Sequence, residues 1–257
     1  MAAVIQRLSR QALVTFMTRE TATFSSNFET LKTMLDSITA DDIKLSVPDP
    51  LEQNNGSFTE APATHVSIFE CPFFSLGVFI LRKGCSIPLH DHPDMFGLCK
   101  VVYGKISVDS YQSQSETTLN GRTDGFTKHP LHTRKRRLIR CRKTEQSFEE
   151  SSGSCVLTPT VGNHHTIHNT SPGPSAFVDI LGPPYAQDKG RDCTYYQECD
   201  PLPYLNSNRN NQAPPIETDS SERWIIEIPP PRDFYCDTQP YRGPPVSLQL
   251  ISGPSDL

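Results

Sequence analysis

Residues 84–104, G-C-S-I-P-L-H-D-H-P-D-M-F-G-L-C-K-V-V-Y-G, constrain this chain more than any other segment. His90 and His92 stand two apart. On a β-strand, residues two apart share a face, so this pair predicts two imidazoles aimed at one point from a sheet. Gly84 and Gly104 frame the segment as turn residues would. The 23 prolines among 257 residues also favour short strands and loops over long helices.

Further strands follow from the apolar period. Residues 76–81, 98–103 and 105–111 are runs divided by glycine turns, and Ile106 and Val108 alternate with Lys105, Ser107 and Asp109. Residues 154–157, 175–181 and 223–228 add strands, and many short strands predict a sandwich or barrel. Two helices should precede them. Ile5, Leu8, Ala12 and Phe16 form one face of the first. Ser26 and Glu29, at capping-box spacing, start the second, whose stripe is Leu31, Met34, Leu35 and Ile38. Residues 47–56 read as a linker. The expected organisation is N-terminal helices over 1–45 packed on a barrel domain over 46–257. Residues 113–150 break the strand pattern and carry H-T-R-K-R-R-L-I-R-C-R-K at 132–143. That basic run is open to three readings: a nuclear signal, an anion patch or, as expected here, part of a solvated insertion loop.

Composition excludes several classes. A net charge of −5 provides no global basic field for nucleic acid. Eight cysteines without a C-x-x-C spacing argue against a disulfide scaffold or a four-cysteine zinc site, and point to reduced thiols in an intracellular protein. No apolar run reaches membrane-spanning length. The first 19 residues hold arginines and hydroxyl side chains with no acid before Glu20, which suits either a mitochondrial transit peptide or the amphipathic helix. No Rossmann or P-loop motif is present.

The framed histidines are similar to the first motif of the cupins, G-x5-H-x-H-x4-E-x6-G, with Gly97 where the metal-binding Glu would stand. Gly153, Pro159, Gly162, His165 and Asn169 are similar to the second cupin motif, G-x5-P-x-G-x2-H-x3-N, with one extra residue between Pro159 and Gly162. The expected fold is therefore all-β, a cupin-type double-stranded β-helix with N-terminal helices. The spacing selects His165 as third metal ligand, with His164 on the opposite side of its strand and His168 beside the ligands or at the surface. His164, His65, His129 and His132 are expected at the surface. Asp91 should face away from the metal. Gly97, lacking a side chain, should leave space beside it.

Three neutral imidazoles without a carboxylate suit a first-row divalent metal that keeps its full +2 charge. Such a site favours an anionic ligand, and a thiolate fits. Oxidation of a thiol to a sulfinate consumes both atoms of O2 and needs no external reductant.

The segments I-P-L-H-D-H-P-D-M-F-G, K-V-V-Y-G, F-V-D-I-L-G-P-P-Y and G-R-D-C-T-Y-Y resemble the animal cysteamine (2-aminoethanethiol) dioxygenases, which are related to the plant cysteine oxidases. The likeness extends to I-Q-R-L-S-R-Q-A near the N-terminus, which favours a folded helix over a transit peptide, and to D-F-Y-C-D-T-Q-P-Y-R-G-P. It implies one Fe(II) per chain, O2 as co-substrate, and oxidation of cysteamine to hypotaurine. It also implies oxidation of Cys-initiated peptides or proteins to the sulfinic acid, which feeds oxygen sensing through the N-degron pathway. By the same resemblance His90, His92 and His165 hold the iron. Asp179 is an acid near the site and Tyr185 the tyrosine of the P-P-Y turn. Cys193 and Tyr195 match a pair able to form a thioether. Bland roles stand beside these: Asp179 capping a turn, Tyr185 as packed aromatic, and the remaining cysteines as small buried apolar groups. The expected protein is a cytoplasmic monomer with nuclear access, free of nucleic acid and membrane. Competing readings are a different metal-dependent cupin enzyme and a non-catalytic cupin that binds a ligand or senses metal.

Overall fold

The computed structural model describes residues 3–47, 61–119, 136–205 and 221–248. Most of the expected linker at 47–56, as well as His129 and His132, lies outside these residues.

Helix α1, Val4–Met17, buries Ile5, Leu8, Ala12 and Phe16 as its period predicts. Helix α2, Phe24–Asp36, starts two residues before the expected box, and its Thr23 N-cap makes no side-chain bond. Ser26 instead donates to the Thr23 carbonyl from within the first turn. Aromatic burial sets this start: the rings of Phe24 and Phe28, one helical turn apart, lie 4.8 and 5.9 Å from Phe96.

Among the described residues twelve strands follow: β1 (Ala63–Glu70), β2 (Ser75–Leu81), β3 (Ser86–His90), β4 (Phe96–Tyr103), β5 (Lys105–Leu119), β6 (Arg136–Glu149), β7 (Cys155–Leu157), β8 (His164–Asn169), β9 (Ser175–Gly182), β10 (Tyr195–Glu198), β11 (Glu222–Ile228) and β12 (Cys236–Thr238). A short helix α3, Leu202–Leu205, lies between β10 and β11. One sheet has the order β12-β1-β2-β9-β4-β7, and the other, β10-β11-β6-β5-β8-β3, closes on itself. This is the expected double-stranded β-helix.

The first sheet is sided by strict alternation. From β9, Ala176, Val178 and Ile180 face outward and share one core with α1 and α2. Phe177, Asp179 and Leu181 face inward and line the cavity between the sheets. Gly104, at φ +74°, makes the bend that carries the chain from β4 in the first sheet to β5 in the second. The two ends of the described chain meet: Gln6 Nε2 donates to Ser247 O at 2.9 Å, and Ser247 N donates to Gln6 Oε1 at 2.8 Å.

The solvated loop expected over 113–150 is overturned at 113–119 and 136–149, which are strand, while 120–135 lies outside the described residues. β5 and β6 are the two longest strands and pair from Lys105↔Glu149 to Leu119↔Arg136. Beyond Gln112 the run of β5 is exposed, so polar residues occupy both faces and no alternation betrays a strand. The basic run is partly core: Leu138, Ile139 and Cys141 are buried within it.

Candidate metal centre

His90 ends β3, His92 follows two residues on, and His165 lies on the neighbouring β8, where it is the register partner of His90. Their ligand atoms all fall within 4.8 Å of one another. Each ring has a partner on the side away from this point. His90 Nδ1 lies 2.8 Å from Pro88 O, and His165 Nδ1 lies 2.9 Å from Gly162 O. A carbonyl only accepts, so both rings carry their proton on Nδ1.

Tyr185 fixes the third tautomer. Its hydroxyl lies 2.7 Å from Asp91 O and 2.8 Å from His92 Nδ1. Its single proton satisfies the carbonyl, so His92 Nδ1–H donates to the Tyr185 oxygen. All three Nε2 lone pairs then face inward. His92 Nε2 and His165 Nε2 stand 3.2 Å apart, lone pair against lone pair, an arrangement that a cation between them relieves. The residues therefore fit a metal. Burial pushes all three imidazoles below their usual range, His165 to about 3, so each is neutral and able to ligate at neutral pH.

Asn163 clamps the same segment: its Nδ2 donates to His92 O at 2.5 Å, and its Oδ1 accepts from His92 N at 3.3 Å. The extra residue after Pro159 is absorbed in a tight turn closed by Thr158 N to Val161 O at 2.8 Å, so His165 keeps its place.

The cavity before the histidines has a volume of about 260 Å³ and is mostly apolar, with Phe79, Ile87, Val108, Ile167 and Phe177 among its walls. Asp179, Tyr185, Cys193 and Tyr195 all line it. Asp179 makes no hydrogen bond or ion pair among the described residues, and burial alone pushes its carboxyl up to about 7. Across the sheet it is in register with Cys99, and Cys99 with Cys155, so β7, β4 and β9 present one row of two thiols and an acid. Burial pushes Cys155 to about 11 and Cys99 well above its usual value. The Cys193 thiol is also raised by burial, to about 11, although the neighbouring Tyr185 and Tyr195 hydroxyls favour its thiolate.

Several expectations change. Gly97 leaves no open space: a Cβ there would stand 2.7–2.8 Å from the side chains of Leu157 and Leu181, so leucines fill the position of the cupin carboxylate. His164 does point away from the centre, but it is not at the surface. Its ring lies 5.0 Å from Tyr196, and its Nε2 is buried without a partner among the described residues. His65 is half-buried rather than superficial, 4.8 Å from the Phe79 ring, because Gly77 opens a gap on the neighbouring strand that its Nε2 fills. His168 is partly exposed and bonded to Ser86 Oγ at 2.7 Å, outside the centre. Cys236 is exposed, unlike the buried role expected of it.

Sequence reasoning missed Asn163 and the partners of Asp91, which come from distant strands. Only the placement of Asn163 just before the second motif's histidines offered a signal.

The chain matches the PCO_ADO family model over residues 34–246. It is 37% identical to the 2-aminoethanethiol dioxygenase of Mus musculus, over 96% of this chain and 97% of that protein. It is 36% identical to the Homo sapiens protein of the same name over the same shares. Identity is 29% to plant cysteine oxidase 1 of Arabidopsis thaliana, over 84% of this chain and 70% of that one. A family match over most of the chain, full-length relatives, and three converging histidines at the expected positions place this chain in the PCO_ADO family.

Proposed function

We propose that the chain is a thiol dioxygenase that holds one non-haem Fe(II) through His90, His92 and His165. It uses O2 to convert cysteamine to hypotaurine and the N-terminal cysteine of peptides or proteins to cysteine sulfinic acid. The observation that carries this reading is the donor set: three buried neutral imidazoles converge by Nε2, with leucines in place of a fourth, anionic donor. Such a set supplies no negative charge, so the site favours a thiolate partner. When bound, iron supplies a redox-active Lewis acid for O2 and sulfur chemistry. The balance RSH + O2 → RSO2H places both oxygen atoms in the product and needs no reductant.

The chain's own residues prepare the site. Tyr185 and the Pro88 and Gly162 carbonyls hold the imidazoles in their ligating tautomers. The apolar wall excludes water from the reacting sulfur. Asp179, with a carboxyl near 7, is shared between acid and anion at neutral pH, which suits it to take the thiol proton or to pair with the substrate ammonium. Tyr185, Cys193 and Tyr195 form the adjoining wall. Cysteamine and an N-terminal cysteine both carry an amine two carbons from sulfur, and the cavity is larger than the smaller of them requires. Among the described residues no helix is long and apolar enough to cross a membrane, and we place the enzyme in the cytoplasm, with nuclear access, as a monomer serving oxygen sensing through the N-degron pathway.

The test is oxygen uptake by Fe(II)-loaded protein with cysteamine, its amine-free analogue and a Cys-initiated peptide, together with product mass. A gain of two oxygen atoms on the thiol is expected, fastest where the amine is present. Absence of uptake with every thiol would reject the reading.

A further inference from the structure

We propose that Asp91 and Arg137 form a positioning pair that aligns the His90–His92 segment and the Cys193–Tyr195 wall with each other. The inference rests on the metal-centre reading above. Asp91 stands between two of the three histidines, yet its side chain turns away from them and is buried. One carboxylate oxygen accepts from Arg137 Nη2 at 2.9 Å and from Tyr196 Oη at 2.8 Å. The other accepts from Thr194 N at 2.9 Å. The Asp91 N–H donates to Thr194 O at 3.1 Å, and its carbonyl accepts from the Tyr185 hydroxyl.

These partners are the residues that carry the site. Tyr185 holds His92. Thr194 lies between Cys193 and Tyr195, and Tyr195 is in register with His90. One residue therefore joins the ligand segment to the opposite strand through both its backbone and its side chain, and a shift of either is passed to the other. Arg137 completes the arrangement from β6. Its Nε lies 3.4 Å from Glu227 on β11, and its guanidinium lies 5.3 Å from the centre of the Tyr196 ring.

The chemistry calls for a charge. Two donors meet on a single Asp91 oxygen, which an amide nitrogen at that place would oppose. A buried carboxylate in turn needs its cation, because removing one partner leaves the other charge uncompensated. One arginine of the basic run, Arg137, thus reaches the ligands through one intervening residue.

Co(II) substitution tests this without turnover, since the visible absorption of the bound ion reports ligand geometry. Asp91→Asn and Arg137→Gln should each weaken Co(II) binding by about 10–100-fold, the usual effect of disturbing a ligand's supporting partner, and should alter the band shape. Arg137→Lys keeps the charge without the fork and should restore part of the affinity. The double variant Asp91→Asn/Arg137→Gln should lose less than the sum of the singles, as coupled residues do. If Arg137→Gln does not fold, Asp91→Asn and Arg137→Lys carry the measurement. Variants that melt earlier but keep wild-type affinity and spectrum overturn the proposal and leave the pair as a brace of the fold. Failure of the centre itself looks different: His165→Ala would then bind Co(II) as tightly as wild type, and this inference would fall with it.

Discussion

On the histidine side of the cavity each imidazole commits its Nδ1 proton to a fixed oxygen, of Pro88, Tyr185 or Gly162. On the side formed by Cys155, Cys99 and Asp179, polar groups line up in register, and the carboxyl finds no hydrogen-bond partner among the described residues. The first wall is preorganised, with neutral donors locked in one tautomer before any ligand arrives. The second holds its groups protonated by burial and keeps an acid whose state can change. A rigid wall suits an ion with fixed geometry, and a wall with an unpaired acid suits a substrate that brings its own charge.

The largest effect should come from the rigid wall. His165→Ala should abolish stoichiometric metal binding and lower oxygen uptake by more than the roughly 10–100-fold typical of disturbing a ligand's supporting partner. Metal analysis and uptake check this, and retained turnover would reject His165 as a ligand. Tyr185→Phe, which removes the acceptor for His92 Nδ1–H, should weaken metal binding within that same roughly 10–100-fold range. An unchanged affinity would show that the tyrosine serves the substrate alone.

Gly97→Glu tests the leucine-filled gap. The new side chain should strain Leu157 and Leu181, at about 1–3 kcal/mol by denaturant unfolding, instead of becoming a clean fourth ligand. A stable variant with its carboxylate on the metal would break this account.

The smallest effect concerns the adaptable wall. Asp179 has its folded pKa raised from about 3.9 in the unfolded chain to about 7, so the native state binds the extra proton between those values. Its contribution to stability is therefore fully present below about pH 4 and is lost as pH rises through about 7. Asp179→Asn should gain a few degrees in melting temperature over wild type at pH 8, and less at pH 5, in metal-free protein. A pH-independent difference would mean that water in the cavity already solvates the carboxylate.

The preorganised wall was the more legible in sequence. His90 and His92 follow from strand period and framing glycines, and His165 from its match to the second cupin motif, all of them local features. The partners of Asp91 were not legible. Arg137, Thr194 and Tyr196 reach it from 46, 103 and 105 residues away, and only folding brings them together. Local rules also failed where tertiary packing outweighed them. Phe24 and Phe28 dock on Phe96 and start α2 ahead of the Ser26–Glu29 spacing. The outer reach of β5 is held by pairing with β6 rather than by a buried face, so its composition resembles a loop. Gly97 showed which atom was missing, but not that Leu157 and Leu181 would occupy its place.

The thiols of the cavity carry one more consequence. An enzyme that oxidises sulfur exposes its own cysteines to its reaction, and Cys99, Cys155 and Cys193 all border the site. With Cys155 and Cys193 held at about 11, only about one in ten thousand of either is a thiolate at pH 7. Burial thus sorts thiols by charge: a visiting thiol ionises far more readily than the resident Cys155 and Cys193.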